Sequence, residues 1–212
     1  MRAGLFGGTF NPVHIAHLKT AKDVVERFNL DKLYLIPSSI PPHKKSSETI
    51  DAKFRFEMLK LAVTDENFIV SEVELNRDGP SYTIDTINHF LKKGFEEIFF
   101  ILGTDAFLEI DLWRSYEKIL KQISFIIMPR PDVIDEVSNL NSYINSKIGK
   151  YDYQKEKGCF ESEENKTLYL TDVTQLNISS TLVRELVKKG DSINHLVGDR
   201  VEEYIIKKGL YR

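Results

Sequence analysis

Ala3-Gly4-Leu5-Phe6-Gly7-Gly8-Thr9-Phe10-Asn11-Pro12-Val13-His14-Ile15-Ala16-His17 is the stretch that decides the fold. The apolar run Ala3 to Phe6 has the character of a strand buried on both faces. Gly7-Gly8 ends it. From His14 to Phe28, the residues Ile15, Leu18, Ala21, Val25 and Phe28 recur at spacings of three and four, the period of an amphipathic helix. A strand, a glycine turn and a helix start, in that order, form the place where doubly wound sheets bind nucleotides. The glycines let backbone N–H groups approach an anion, and the helix N-terminus adds partial positive charge. The turn is not G-x-G-x-x-G, and no G-x-x-x-x-G-K-[ST] occurs in the chain. Neither dinucleotide-fingerprint nor P-loop mechanics therefore apply.

The same alternation runs through the rest of the chain. Leu33 to Ile36 is a second apolar run, stopped by Pro37. Phe68 to Leu75 is expected to be a third strand, because Val73 and Leu75 alternate with Glu72 and Glu74. Ile98 to Leu102 and Phe125 to Met128 are fully apolar, and Leu168 to Leu170 is a shorter sixth candidate. Helical spacing recurs over Ala52 to Val63, Asp85 to Lys93, Trp113 to Gln122, Ser180 to Lys189 and Val197 to Lys208. Strands separated by such helices indicate βαβ units. The expected fold is α/β: a Rossmann-like doubly wound, mainly parallel sheet with helices on both faces. Residues 129–166 break the pattern, being rich in Asn, Ser, Lys and Glu. A helix near Asp135 to Ile148, then a loop or hairpin, is expected there. Residues 131–166 are read as a surface insertion in a single domain spanning 1–212.

Composition excludes several function classes. Leu, Ile, Val and Phe make up about a third of the chain, well above the roughly 20% of a disordered sequence. Lys plus Arg number 29 against 32 Asp plus Glu, so the net charge of −3 lacks the basic excess of a nucleic-acid binder. Cys159 is the only cysteine, which rules out an intrachain disulfide and a cysteine-based zinc cluster. A cytoplasmic setting is expected. No signal-peptide pattern opens the chain, and Ile98 to Leu102 falls far short of the ~20 apolar residues of a membrane helix. No nucleic acid and no membrane are expected as partners; a homo-oligomer is compatible with the sequence.

Two motifs carry chemistry. His14 and His17, three apart, fall on one face of the first helical turn, where two imidazole donors would suit a phosphate chain. Taken alone they also fit capping histidines or half a metal site, although no Cys, Glu or third His stands nearby in sequence. The second motif is Ile178-Ser179-Ser180-Thr181-Leu182-Val183-Arg184, which follows Leu168 to Leu170 and opens a helix. Ser179 or Ser180 is a natural N-cap. Arg184 so early in a helix is mildly unfavourable unless an anion binds there. An ordinary serine cap with an exposed arginine is the plainer alternative.

Together the motifs resemble the nucleotidyltransferase superfamily, whose signature pairs (H/T)-x-G-H with I-S-S-T-x-x-R. Here the first reads His14-Ile15-Ala16-His17, with alanine where glycine is usual. Class I aminoacyl-tRNA synthetases share a similar motif but also need a K-M-S-K-S-like loop and a longer chain. Further stretches are Pro41-Pro42-His43-Lys44, Pro80-Ser81-Tyr82-Thr83, Leu102-Gly103-Thr104-Asp105 and Leu112-Trp113-Arg114. With G-G-T-F-x-P-x-H they occur in the order found in bacterial nicotinate-nucleotide adenylyltransferases, and the resemblance spans nearly the whole chain.

That resemblance implies transfer of the adenylyl group of ATP to nicotinate mononucleotide, giving nicotinate adenine dinucleotide and pyrophosphate on the way to NAD. It implies that Gly8, Thr9 and Phe10, with His14 and His17, hold the ATP phosphates. Ile178, Ser179 and Arg184 would hold the adenosine end and departing phosphates, and Gly103 and Asp105 the ribose. His43, Lys44 and Arg130 would approach the mononucleotide phosphate. Tyr82, Thr83 and Trp113 would form the nicotinate pocket, with backbone N–H groups near Thr83 and Arg114 receiving its carboxylate. His14, His17 and Arg184 are the expected catalytic residues. No metal site in the protein is expected; Mg²⁺ would arrive with ATP.

The nucleophile is a phosphate oxygen already ionised at pH 7, so no strong base is required. Positioning and charge stabilisation would do most of the catalysis. The rivals are adenylyl transfer to nicotinamide mononucleotide or to phosphopantetheine, and a nucleotide sensor without turnover.

Overall fold

β1 (Arg2–Gly8) opens the chain, with Ala3 to Phe6 buried, as an apolar strand covered on both faces must be. A computed structural model describes residues 1–40, 49–77, 79–129, 136–174 and 176–212. After β1 the elements are α1 (Ile15–Phe28), β2 (Lys32–Pro37), α2 (Ala52–Ala62), β3 (Phe68–Val70) and α3 (Thr83–Leu91). Next come β4 (Glu97–Gly103), α4 (Thr104–Phe107), α5 (Tyr116–Gln122), β5 (Ser124–Met128) and α6 (Glu136–Tyr143). β6 (Asp152–Gln154), β7 (Cys159–Glu161), β8 (Leu168–Leu170), α7 (Ser180–Lys189), α8 (Asn194–Val197) and α9 (Asp199–Lys208) complete the described elements of this kind.

The chain divides into two compact units. One comprises Met1–Phe6 and Tyr82–Val173, the other Gly7–Ser81 and Thr174–Arg212. In the first, β1 pairs in parallel with β4, Arg2 opposite Glu97 and Phe6 opposite Ile101. β4 with β5 and β5 with β8 are also parallel. β7 runs antiparallel to β8, and β6 antiparallel to β7. In the second unit β2 and β3 pair in parallel, and the Ser38 N–H donates to Gly8 O at the end of β1 (2.9 Å). The strand order is β3-β2-β1-β4-β5-β8-β7-β6. This is the expected doubly wound, mainly parallel α/β arrangement, with an antiparallel hairpin at one edge.

Three local differences have physical reasons. The third strand stops at Val70 rather than Leu75. Ser71 N–H makes a last bond to Leu35 O, and its hydroxyl then accepts from Val73 N–H, turning the chain so that Asn76 N–H reaches Glu72 O. The period-two alternation of Glu72 to Leu75 is thus the register of a turn. Trp113 does not begin a helix. It closes a 3₁₀ turn over Ile110–Leu112 with extended backbone, and α5 waits for Ser115, which takes the left-handed φ of 58°. The last helix starts at Asp199 rather than Val197, because Gly198, φ 83°, separates it from the short α8.

Within 131–166, α6 continues into a single π-helical stretch, Ile144–Ile148, and the β6–β7 hairpin follows. Leu140, Ile144 and Phe160 are fully buried, and the rings of Tyr153 and Phe160 sit 4.8 Å apart.

Candidate active site

The first βα turn lies in the second unit and is built by side chains from distant parts of the sequence. A Cβ on Gly8 would come within 2.9 Å of the Phe10 ring, so glycine lets the chain pass there. Phe10 is buried with φ 47°, a conformation that costs a non-glycine residue roughly 1–3 kcal/mol and persists only when the surroundings enforce it. Those surroundings are hydrogen bonds to the turn's own carbonyls. Arg55, 1% exposed on α2, donates from Nη1 to Thr9 O at 2.7 Å. Its Nη2 reaches Ser38 O at 2.6 Å and its Nε Ile50 O at 3.0 Å. Burial lowers the Arg55 pKa, while Tyr211, Asp51 and Glu74 oppose that shift.

The C-terminal part of the same unit grips the next two residues. Arg184 Nη1 donates to Asn11 O and Ser180 Oγ donates to Pro12 O, both at 2.8 Å. Tyr211 Oη donates to Asn11 Oδ1 at 2.9 Å. Burial raises the Tyr211 pKa, keeping the phenol a donor. The two sequence motifs thus come together through two side-chain bonds, and Tyr211 adds a third from outside them.

His14 is the N-cap of α1 and His17 its third residue. The His14 N–H donates to His17 Nδ1 at 3.2 Å. A neutral imidazole that accepts at Nδ1 carries its proton on Nε2, so His17 offers an Nε2–H donor. The rings stack with centroids 3.7 Å apart, and Phe10 meets His17 edge-on at 5.0 Å. Burial lowers the His14 pKa to about 4. Burial, and then the proximity of His14, hold His17 well below its usual value. Both rings are neutral at pH 7, so they serve as hydrogen-bonding groups and bring no standing charge. His14 Nδ1 is buried without a hydrogen-bond partner.

Ser179 is the N-cap of α7, its Oγ accepting from Leu182 N–H at 3.1 Å, which leaves the Ser180 hydroxyl for Pro12. Ile178 is half-buried before the cap. Arg184 spends Nη2 on Thr181 Oγ1 at 3.2 Å, so part of its five-donor fork is committed to the protein.

In the first unit, Tyr82 is the N-cap of α3 and Thr83 its first residue. The Arg114 guanidinium lies 4.9 Å from the Tyr82 ring centre, a cation–π contact. The half-buried Trp113 meets Phe100 of β4 edge-on, centroids 5.9 Å apart. Gly103 is the N-cap of α4, and Asp105 is exposed in its first turn. Thr104 Oγ1 anchors this corner to Met128 O at 3.1 Å. His43, Lys44 and Arg130 lie outside the described residues.

Sequence reasoning gave Asn11 no role and missed Arg55 and Tyr211 as parts of the turn. Arg55 carried a signal: it is a single charge between Phe54 and Phe56 on a helix. Tyr211, next to the C-terminus, carried none.

Known proteins share this chain's sequence over its full length. The cytidylyltransferase-like family model matches residues 5–186. A curated protein of Desulfatibacillum aliphaticivorans named "Probable nicotinate-nucleotide adenylyltransferase" is 41% identical over 216 residues, covering 100% of both chains. A protein of the same name from Thermoanaerobacter sp. (strain X514) is 40% identical over 215 residues, covering 100% of this chain and 95% of its own. The structure of Plasmodium falciparum nicotinic acid mononucleotide adenylyltransferase complexed with NaAD superimposes with a TM-score of 0.72 at 19% identity, covering 99% of this chain and 97% of that one. The fold is shared.

Proposed function

The chain belongs to the cytidylyltransferase-like family and, within it, to the nicotinate-nucleotide adenylyltransferases, and from that premise we propose its reaction. It transfers the adenylyl group of ATP to nicotinate mononucleotide, releasing pyrophosphate and forming nicotinate adenine dinucleotide for NAD biosynthesis. The observation that carries this reading is the gripping of Asn11 and Pro12 by Arg184 and Ser180, which brings two separated motifs together and supports their reading as one anion site. We take the whole chain, 1–212, as one nucleotidyltransferase domain acting in the cytoplasm. Among the described residues no helix is long and apolar enough to cross a membrane.

The residues divide the work as follows. The backbone of Gly8, Thr9 and Phe10 receives the ATP phosphates at the start of α1, where the helix dipole favours negative charge. His17 donates from Nε2–H to a phosphate oxygen, and His14 lies stacked against it. Because the pair is neutral before ATP arrives, its donors hold the substrate without a standing charge, and they strengthen as negative charge develops on the leaving pyrophosphate. The remaining donors of Arg184, with the α7 start at Ile178 and Ser179, hold the rest of the triphosphate and the adenosine. Gly103 and Asp105 take the ribose. Tyr82, Thr83 and Trp113 hold the nicotinate ring, and Arg114 favours its carboxylate over an amide. His43, Lys44 and Arg130 are assigned to the mononucleotide phosphate on sequence alone.

Mg²⁺ fits as a companion of ATP. The turn offers N–H groups, neutral imidazoles and a guanidinium, with His17 Nδ1 already accepting from His14, so phosphate oxygens and water are the natural ligands. When bound it neutralises phosphate charge.

The test is pyrophosphate release with ATP, Mg²⁺ and either nicotinate mononucleotide or its amide. Strong turnover with the acid and weak turnover with the amide is expected. Equal turnover would discard the Tyr82–Trp113–Arg114 pocket and keep the adenylyltransferase. No turnover with either would overturn the substrate and favour phosphopantetheine or a sensor.

A further inference from the structure

The stretch from Ile110 to Arg114 ends in the two side chains assigned to nicotinate, and its first half is tied to the segment that follows β5. Asp111 sits in the 3₁₀ turn Ile110–Leu112. Tyr143, the last residue of α6, donates from Oη to Asp111 Oδ1 at 2.7 Å. The Asp111 N–H in turn donates to Tyr143 Oη at 3.4 Å. The Tyr143 ring also meets Phe107 edge-on with centroids 6.3 Å apart, and Phe107 in turn meets Phe125 of β5 at 6.0 Å. Two residues beyond Asp111, the Trp113 N–H closes the turn onto Ile110 O at 2.9 Å, and its ring stands against Phe100. Arg114 follows, over Tyr82.

We propose that Tyr143 is a positioning residue for nicotinate mononucleotide: by clamping Asp111 it sets the backbone from which Trp113 and Arg114 project. The reasoning is geometric. The backbone bonds here, Leu112 N–H to Glu109 O, Trp113 N–H to Ile110 O and Tyr116 N–H to Trp113 O, are all local, so they shape the turn without tying it to the elements around it. Leu112 is 68% exposed, so its side chain anchors nothing. Ile110 is fully buried, and the further side-chain contacts are Trp113 on Phe100, Arg114 on Tyr82 and Asp111 on Tyr143. Removing the last loosens the direction in which Trp113 and Arg114 project. A displacement of about 1 Å in a positioned group is enough to cost a large factor in binding or rate. The segment after β5 thereby acquires a function in substrate choice, carried by one phenol. The inference rests on the assignment of Trp113 to the nicotinate pocket.

The test exploits the single tryptophan. Nicotinate mononucleotide is titrated into the full-length protein while Trp113 fluorescence is followed, and steady-state KM is measured for both substrates. Tyr143→Phe is expected to raise the mononucleotide Kd and KM about 5- to 10-fold, with kcat and the ATP KM within twofold. Asp111→Ala should behave the same way, Asp111→Asn should retain near-normal values because its amide oxygen still accepts, and the Tyr143→Phe/Asp111→Ala double variant should be no worse than either single one. Unchanged mononucleotide affinity in Tyr143→Phe would overturn the proposal, as would equal losses for both substrates, which mark a merely structural role. Failure of the underlying reading looks different: Trp113→Ala would leave the mononucleotide KM unchanged, whatever Tyr143→Phe does.

Discussion

The Gly8–His17 turn and the Tyr82–Trp113–Arg114 cluster are each assigned to hold one part of a charged ligand, and they are held in place by opposite means. The turn is fixed by donors aimed at its own carbonyls: Arg55 at Thr9 O, Arg184 at Asn11 O and Ser180 at Pro12 O. The aromatic cluster is fixed by ring contacts, Trp113 on Phe100 and Arg114 on Tyr82, with the Tyr143–Asp111 bond behind them. A buried carbonyl that loses its donor costs roughly 1–3 kcal/mol, and it tolerates little angular change. A ring contact is worth about 0.5–1.5 kcal/mol beyond its area and slides readily. Phosphates therefore meet a stiff cradle made before they arrive, and the nicotinate ring meets walls that can adjust.

The largest expected effect breaks the cradle at its most connected residue. Arg55→Met leaves the carbonyls of Thr9, Ser38 and Ile50 without their guanidinium donor. Urea denaturation should show a loss of at least about 3 kcal/mol, because several buried acceptors go unsatisfied together. Trp113→Phe, the counterpart change in the aromatic cluster, should cost less than about 1.5 kcal/mol. Equal losses for the two variants would sink the contrast between a bonded cradle and an adjustable pocket.

His17→Ala probes the same cradle through catalysis. Loss of a preorganised donor should lower kcat about 100-fold, with the mononucleotide KM little changed. Near-normal kcat would remove His17 from the mechanism and leave the turn as a binding element alone. Trp113→Ala should show the reverse pattern, with its effect in the mononucleotide KM.

The stiff region was also the more legible one. Gly7, Gly8, His14 and His17 stand within eleven residues, and local spacing alone placed them between a strand and a helix. The serine–arginine helix start was equally plain, because capping is chemistry between near neighbours. What sequence could not give was the partner of each side chain. Arg184 and Ser180 bond to carbonyls 173 and 168 residues away, and a carbonyl acceptor leaves no mark on residue identity. Tyr143 and Asp111 pair across 32 residues, which no local spacing reveals, and the 129–166 composition points to surface. Period-two alternation is shared by short strands and by turns, so the pattern alone carries the third strand past Val70. Trp113 was placed in a helix because the apolar spacing of α5 continues upstream, although Ser115 breaks the backbone there.

Tyr211→Phe sharpens the comparison on a smaller scale. It deletes one donor, to Asn11 Oδ1, and leaves the ring in place. The expected cost is about 1 kcal/mol, read as a shift of the urea midpoint at unchanged slope. No shift would mean that Arg184 and Ser180 suffice to hold the turn.

The last prediction concerns charge. Burial lowers the His14 pKa to about 4, against 6.5 for a free histidine, and moves His17 in the same direction. Between those two pH values the unfolded chain binds a proton that the folded chain refuses, so stability rises with pH there. The stability is fully present above about pH 6.5 and is lost as pH falls toward 4. For His14 alone the loss from pH 7 to 5.5 is about 1 kcal/mol, and His17 adds to it with the same sign. Denaturation of the free protein at those two pH values should show this drop, and His14→Asn should reduce it by about that amount. Bound ATP reverses the logic, because a polyphosphate beside the rings favours their protonated form. The ATP-saturated enzyme should therefore lose less stability over the same interval and take up protons on binding. If the free protein and His14→Asn show equal slopes, the cradle is not neutral before ATP arrives, and its preference for the developing charge of the transition state loses its physical basis.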